Sequence, residues 1–142
     1  MTRYLDASVL PPTLVAQQSS AAVDEYLRTN ADDLTVSDFA AAEVASALSR
    51  LVRTGRLTDT AALARLADFD AWRAGMTESA DMDAHDCRLA STYVRRFDLK
   101  LRAPGALHAA ICRRLDLQLV TLDRRLAAAA RELGIDVLIP TE

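Results

Sequence analysis

Three carboxylates in this sequence stand where they could act together on a metal ion or a phosphate. Asp6 follows the apolar residues of YLDASV, and Asp123 follows those of LVTLD. Glu43 is the only charged residue between Asp38 and Arg50. Hard oxygen ligands of this kind suit Mg²⁺ or Mn²⁺, which bridge to phosphate groups. Each acid also has an ordinary structural explanation: a strand-end turn for Asp6, a solvated helix face for Glu43 and a helix N-cap for Asp123.

The segment LRAPGALHAA, residues 101–110, combines two conflicting signals. Pro104-Gly105 is typical of a turn, whereas Pro followed by Ala-rich apolar residues is typical of the first turn of a helix. In that first turn an acidic side chain would interact favourably with the helix dipole by about 0.3–1 kcal/mol, and glycine is a poor helix former. The helix dipole and the helix propensities therefore both favour Asp over Gly at position 105.

The elements that must position these residues alternate between short apolar strands and helices. Strands are predicted to end near Asp6, to span 34–37 and 118–123, and to occupy the tail DVLIP. Gly55, Gly75 and Gly134 are predicted just past helix C-termini, where a positive φ favours glycine. The pattern predicts helical segments over about 11–28, 39–54, 58–74, 83–97, 104–115 and 124–133.

Strands and helices in this order indicate an α/β fold with a parallel central sheet and helices on both faces. Because no linker-like segment interrupts the chain, we expect a single domain over residues 1–142. Ligands of such sheets bind at the carboxyl ends of the strands. Asp6 and Asp123 both follow strands, so we expect them at that edge of the sheet.

The composition restricts the class of protein. The chain has 142 residues, is 51% hydrophobic and carries a net charge of −3, which allows one sizeable core and excludes a strongly basic coat. No apolar run approaches the roughly 20 residues that span a bilayer, and the N-terminus lacks a signal peptide's apolar stretch. Cys87 and Cys112 have no CxxC partner, so both are predicted to be reduced core thiols. We therefore expect a cytoplasmic protein with no membrane segment.

The cationic residues are almost all arginine: only Lys100 among the 17 is a lysine. A biased genomic composition is one explanation of this preference for arginine. Phosphate recognition is the other, because the guanidinium group binds phosphate in a bidentate way. Four of the arginines cluster in sequence near the predicted site and are candidates for an RNA-binding rim: Arg113, Arg114, Arg124 and Arg125.

Four ordered segments resemble the PIN domain, specifically the VapC-type toxin ribonucleases of bacterial toxin–antitoxin systems. They are YLDAS, SDFAAAEVASAL, LRAPGALHAA and LVTLDRRLAAAARELGI, and the resemblance covers essentially the whole chain. It implies a PIN fold and an endoribonuclease whose acidic quartet binds Mg²⁺ or Mn²⁺. On this sequence the first, second and fourth acids are Asp6, Glu43 and Asp123. The third falls at Gly105, where similar proteins have Asp.

The resemblance implies that metal ions activate a water for attack on an RNA phosphodiester, so the loss of one ligand predicts reduced or absent activity. We interpret Gly105 as replacing an Asp, whether by natural divergence, by engineering or by selection during cloning. Ser8 and Thr121 lie two residues from an acid and could support the metal site, or simply bond in a turn and a strand. His108, one turn beyond Gly105, is predicted to pack and hydrogen-bond rather than to act as a base.

The resemblance also implies a small VapB-type antitoxin as partner, a toxin homodimer and an RNA substrate. The alternative is a catalytically inactive PIN-fold module that binds antitoxin or RNA without cleaving it. Metal dependence separates the two, because a pure binder should hold its partner equally well in chelator.

Overall fold

A computed structural model describes residues 2–142, and the central feature of its fold is a parallel sheet of five strands. A 3₁₀ turn, Phe97–Leu99, joins the fifth and sixth helices. The strands are β1 (Arg3–Leu5), β2 (Leu34–Ser37), β3 (Glu78–Ala80), β4 (Gln118–Val120) and β5 (Val137–Leu138). Their order across the sheet is β3-β2-β1-β4-β5. The helices are α1 (Pro11–Leu14), α2 (Ser20–Thr29), α3 (Asp38–Arg53), α4 (Asp59–Met76), α5 (Ala84–Val94), α6 (Ala103–Leu115) and α7 (Arg124–Glu132).

Each face of the sheet has its own hydrophobic core. Tyr4 and Leu119 pack on one face among residues of α5, α6 and α7. Leu5 and Val120, the next residues along the same strands, pack on the other face among residues of α2, α3 and α4. Successive side chains of a strand point to opposite faces, so this alternation places helices on both sides of the sheet. The predicted α/β architecture is confirmed.

The order of the strands creates a crevice at the carboxyl ends of β1 and β4. The chain runs from β1 outward through β2 to β3 and then returns to the other side of β1 as β4. Tyr4 lies opposite Leu119, and Leu5 lies opposite Val120, so both strands end at the same level. Helices leave two such strands in opposite directions, and the space between them is where ligands of open α/β sheets bind.

Several predicted element boundaries hold and others are wrong. The strand over 34–37 is confirmed, and the structure shows that Ser37 caps the helix after it, with its side chain accepting from the Ala40 amide at 3.0 Å. The helix predicted to end at Phe97 ends instead at Val94 and is followed by the 3₁₀ turn. The short edge strand β3 was not predicted.

Of the three glycines predicted just past helix C-termini, two are confirmed and one is wrong. Gly55 and Gly134 adopt positive φ values of 76° and 79° just beyond a helix, as predicted. The prediction for Gly75 is wrong, because α4 continues through it to Met76 and ends at an extended Thr77. An exposed glycine inside a helix costs only about 1 kcal/mol, which the packing of the rest of α4 offsets.

The two cysteines lie in different environments. Cys112 is buried, as predicted, and burial raises the pKa of its thiol. The prediction for Cys87 is wrong: it lies on the exposed face of α5.

None of the helices within residues 2–142 has the length and apolar character needed to cross a membrane.

A buried ion pair joins α5 to α6. Both carboxylate oxygens of Asp86, which is fully buried, accept from the Arg114 guanidinium at 2.9 Å, and Asp86 also forms a reciprocal capping box with Asp83. Burial alone raises the pKa of Asp86, but the hydrogen bonds from Arg114 and Asp83 outweigh it and hold the pKa below its usual value. Asp86 therefore stabilises the fold at neutral pH.

We expect Asp86→Asn to lower the free energy of unfolding by about 2–3 kcal/mol at neutral pH, because it leaves the Arg114 charge without its buried partner. Since the pKa of Asp86 is depressed in the folded state, this contribution disappears as the pH falls through that pKa, and the two proteins should converge in acid. Urea unfolding across pH measures this difference. Asp98→Asn, which breaks a surface pair with Arg96, is the control and should change little.

Candidate functional site

A cleft of about 560 Å³ opens at the carboxyl ends of β1 and β4. It brings together the four positions that the sequence singled out: Asp6, Glu43, Gly105 and Asp123. Four different elements supply them, since Asp6 follows β1, Glu43 lies on α3, Gly105 lies on α6 and Asp123 precedes α7. The remaining lining residues are Ala7, Ser8, Lys100, Leu101, Arg102, Pro104, His108, Arg125 and Leu126.

Asp6 is the most buried of the three acids, with 3% of its surface exposed. One oxygen accepts from the Ser8 amide at 3.1 Å and the Ser8 hydroxyl at 2.6 Å, and the other accepts from the Thr121 hydroxyl at 2.7 Å. Burial raises the pKa of Asp6, and the nearby His108 and these hydrogen bonds offset only part of that increase. Within residues 2–142 no ion pair compensates its charge, so the folded chain holds a carboxylate that would gain from a bound cation.

Asp123 performs the predicted N-cap role and still faces the cleft. Its Oδ1 accepts from the amides of Arg125 at 3.0 Å and Leu126 at 3.1 Å, at the start of α7. Its own amide donates to the Thr121 hydroxyl at 3.0 Å, and Thr121 also contacts Ser8 at 3.2 Å. Ser8 and Thr121 thus connect Asp6 to Asp123. Asp123 Oδ2 makes no hydrogen bond to the described part of the chain and is free for a ligand.

Glu43 is held by a chain of hydrogen bonds that runs through the core. Ser37 Oγ lies 2.7 Å from the Tyr4 hydroxyl, which lies 2.6 Å from His108 Nδ1, and His108 Nε2 lies 2.5 Å from Glu43 Oε1. Burial raises the pKa of Tyr4, so its hydroxyl keeps its proton. Because a carboxylate oxygen accepts, the Nε2–H of His108 donates to Glu43. The ring of Phe39 packs against His108 with 5.1 Å between the ring centroids.

This arrangement makes His108 a positioning residue for Glu43. The predicted packing and hydrogen-bonding role of His108 is what the structure shows, because its ring is 3% exposed and both nitrogens have partners. What the sequence did not indicate is that one partner is a site acid 65 residues away.

We expect His108→Asn to weaken Mn²⁺ binding by about 10- to 100-fold in a chain that carries Asp at position 105, the range for residues that support a metal ligand. Asn reaches the Nδ1 position beside Tyr4 but not Glu43, whereas Gln reaches the Nε2 position. His108→Gln should therefore retain most of the affinity, and calorimetry measures both. Equal losses in the two variants would show that His108 acts only through packing.

Nothing in the backbone requires glycine at position 105. Gly105 is the third residue of α6, one position later than predicted, and its φ lies outside the positive region. A Cβ atom built there would lie 3.5 Å from Leu126 and 3.7 Å from Leu101, which are ordinary van der Waals contacts. The position can therefore hold an aspartate, and the side chain would start from the wall of the cleft.

The carboxylates of the cleft are the type of ligand that a divalent metal ion prefers, but the set of ligands is incomplete. Three carboxylates line the cleft, and Glu43 Oε2 and Asp123 Oδ2 have no hydrogen-bond partner among residues 2–142. Within those residues, however, no group of three His, Cys, Asp or Glu side chains lies close enough to hold one ion. With Gly105 in place, the arrangement does not fit a tightly held metal.

The cations around the cleft differ from the four predicted arginines. Of those four only Arg125 lines it. Arg114 pairs with Asp86, Arg113 donates to the Leu133 carbonyl, and Arg124 pairs with Glu142. Arg113, Arg114 and Arg124 do not line the cleft, and their RNA-binding role stays a prediction. Two cations that sequence reasoning missed, Lys100 and Arg102, line the cleft instead, and the signal was their place in LKLRAPG, just before Gly105.

In a comparison with known families, residues 3–132 match a family described as the PIN domain. No curated protein matches the chain in sequence.

Among solved structures, three examples of similar fold have low sequence identity to this chain. FitAcB from Neisseria gonorrhoeae is 18% identical over 99% of both chains, with a TM-score of 0.71. VapBC2 from Rickettsia felis, bound to a DNA fragment from its promoter, is 13% identical over 98% of both chains, with a TM-score of 0.72. VapC20 from Mycobacterium tuberculosis, a sarcin-ricin loop cleaving toxin, is 16% identical over 90% of this chain and 95% of its own, with a TM-score of 0.72.

Proposed function

This chain belongs to the PIN domain family, and on that premise we propose that it is the toxin of a type II toxin–antitoxin pair, an endoribonuclease that requires Mg²⁺ or Mn²⁺. Its activity is impaired by Gly105. Proteins of this family are generally nucleases, and similar folds occur in VapBC and FitAB toxin–antitoxin proteins. The proposal includes a cytoplasmic location, which an RNA substrate and two free cysteines would both support.

The convergence of Asp6, Glu43 and Asp123 in one cleft at the sheet's switch point carries this proposal. Sites of phosphate chemistry in α/β sheets form where strand order reverses, and three acids from three separate segments meet there. A structural explanation accounts for each acid singly but not for their common cleft. The burial of Asp6, which forms no ion pair within residues 2–142, in particular has no structural benefit, because an asparagine would make the same turn.

The chain's own residues have distinct roles in this proposal. Asp6, Glu43 and Asp123 form the acidic floor, and Ser8, Thr121 and His108 orient them. Lys100, Arg102 and Arg125 surround the floor and bind substrate phosphates. Divalent ions supply Lewis-acid chemistry to phosphodiester hydrolysis. Because Gly105 leaves the set incomplete, we assign no metal-dependent step to this chain as it stands.

An antitoxin of the VapB type and a second copy of this chain are the proposed protein partners. A second groove, of about 310 Å³ between α1, α2 and α4, is lined by apolar side chains that include Leu14, Leu27 and Trp72. Two acids, Asp24 and Asp68, also line it. An amphipathic segment with basic residues would complement this groove, which is the kind of segment a small antitoxin can supply.

The second candidate function is a module that binds RNA or antitoxin without cleavage. The incomplete metal set within residues 2–142 favours it for this chain, since a fold that lacks one ligand can keep its binding surfaces. Binding in chelator and cleavage in Mg²⁺ or Mn²⁺ distinguish the two functions.

The experiment that tests the proposed function is cleavage of total cellular RNA by this chain and by its Gly105→Asp variant, with Mg²⁺, Mn²⁺ or chelator. Metal-dependent cleavage by the variant supports the nuclease. If both proteins are inert while the variant binds metal, the binding module is favoured.

A further inference from the structure

Phe97 is the most exposed large apolar side chain in the described part of the chain, with 83% of its surface accessible. Burying a phenylalanine gains about 1.5–3 kcal/mol, so an almost fully exposed one is poorly explained by folding. It stands in the 3₁₀ turn between α5 and α6, immediately before the residues that line the acidic cleft.

The turn that carries Phe97 is held in a defined conformation. Leu99 is buried beneath it, and the Lys100 amide donates to the Phe97 carbonyl at 3.2 Å. Lys100 adopts a left-handed conformation with φ 56° and ψ 31°. This conformation costs a residue with a Cβ roughly 1 kcal/mol, and Gly or Asn usually occupies it. The sequence retains a lysine there, and that lysine lines the cleft.

The same loop concentrates positive charge on an acidic protein. Residues 95–102 read RRFDLKLR, with four cations and one acid, whereas the whole chain has a net charge of −3. The acid, Asp98, pairs with Arg96 at 2.9 Å, and this contact lowers the pKa of Asp98. Within residues 2–142, Arg95, Lys100 and Arg102 form no ion pair, so three cations remain for a ligand.

We propose that the loop Arg95–Arg102 is a binding platform for single-stranded RNA, on which Phe97 stacks against an unpaired base. Lys100 and Arg102 bind the adjoining phosphates and direct the backbone towards the cleft. An exposed aromatic ring beside cations is the arrangement by which proteins hold single strands. A base inside a duplex has no free face for the ring. This inference rests on the proposed function and adds to it a base-binding subsite at Phe97.

The test is the affinity of a short fluorescein-labelled single-stranded RNA of mixed sequence, measured by anisotropy in chelator so that no cleavage occurs. Loss of one base–aromatic stack is worth roughly 5- to 100-fold in affinity, and we expect that weakening for Phe97→Leu. Phe97→Trp should bind as tightly as the parent, and its added fluorescence should change when RNA is bound. Leu63→Ala, which removes another exposed apolar side chain on α4, is the control.

The charge part of the proposal has its own measurement. Lys100→Gln should weaken binding of all sequences and reduce the slope of log affinity against log salt by about 0.7, as for loss of one phosphate contact on a single strand.

The outcomes separate the platform from the proposed function. If RNA binds and Phe97→Leu binds it equally well, the platform is overturned and the nuclease proposal stands. If Phe97→Leu instead dissociates a dimer with RNA affinity unchanged, Phe97 belongs to an interface between copies and the platform is again overturned. Absence of both RNA binding and cleavage in the parent and the Gly105→Asp variant overturns the proposed function itself.

Discussion

Replacing Gly105 with Asp is expected to raise metal-dependent RNA cleavage by at least about 100-fold. Gly105 lines the same cleft as Asp6, Glu43 and Asp123, so a carboxylate there joins the other three. Residues that merely support a metal ligand are worth about 10- to 100-fold in affinity or activity, and a direct ligand should be worth no less. The measurement is the initial rate of RNA cleavage with Mg²⁺ or Mn²⁺, compared with the rate in chelator.

Two control variants separate the carboxylate from the side chain that carries it. Gly105→Ala adds the Cβ, for which the cleft wall has room, and should stabilise the helix by about 0.5–1 kcal/mol without activity. Gly105→Asn has nearly the shape of Asp and no charge, and it should also stay inactive. Activity in either control would show that flexibility at position 105, rather than a missing ligand, limits the parent.

Stability gives a second measurement that needs no RNA. Four carboxylates in one cleft repel each other, so the Asp variant should unfold more easily than Gly105→Ala in chelator. A metal that binds only the folded state stabilises it by about 2.7 kcal/mol at 100 times its dissociation constant. The unfolding temperature of the Asp variant should therefore rise with Mn²⁺, whereas those of the parent and the Ala variant should change much less. An equal rise in the parent would contradict our interpretation of Gly105.

The features that the sequence predicted well are those that depend on a few neighbouring residues. LTVS is buried throughout and forms β2 as predicted, and Ser37 caps α3 because its hydroxyl can reach the Ala40 amide. Asp6 and Asp123 were placed correctly at one edge because parallel strands end together. The edge strand β3, by contrast, has three residues, two of them exposed, and no apolar alternation to reveal it.

The features that the sequence did not predict depend on contacts between distant segments. The bond from His108 to Glu43 requires α3 and α6 to meet at the cleft, and no local pattern indicates that two residues 65 positions apart come together there. Phe97 was predicted as the last residue of a helix, where it would have been one more apolar residue. Its exposure became evident only because α5 ends at Val94 and a turn follows.

Asp6→Asn, made in the Gly105→Asp chain, is expected to abolish cleavage and at the same time to stabilise the fold. Cleavage should fall by at least about 100-fold, because a metal ligand loses its charge. The free energy of unfolding in chelator at neutral pH should rise on the order of 1 kcal/mol, because the variant no longer buries a charge that the fold leaves uncompensated. RNA cleavage and urea unfolding of the same preparation measure the two effects.

The opposite signs of these two effects test whether Asp6 is kept for function. An asparagine can accept from Ser8 with its oxygen and donate to Thr121, whose hydroxyl can turn towards Ser8, so the turn after β1 survives. Burial raises the pKa of Asp6 in the folded state, so the gain should be largest at neutral pH and vanish in acid, where the carboxyl is protonated in both states. Asp123→Asn is the matched control: asparagine caps a helix as well as aspartate, so cleavage should fall without a change in stability. If Asp6→Asn destabilises the chain instead, Asp6 is a structural residue, and the cleft loses the acid on which the nuclease proposal most depends.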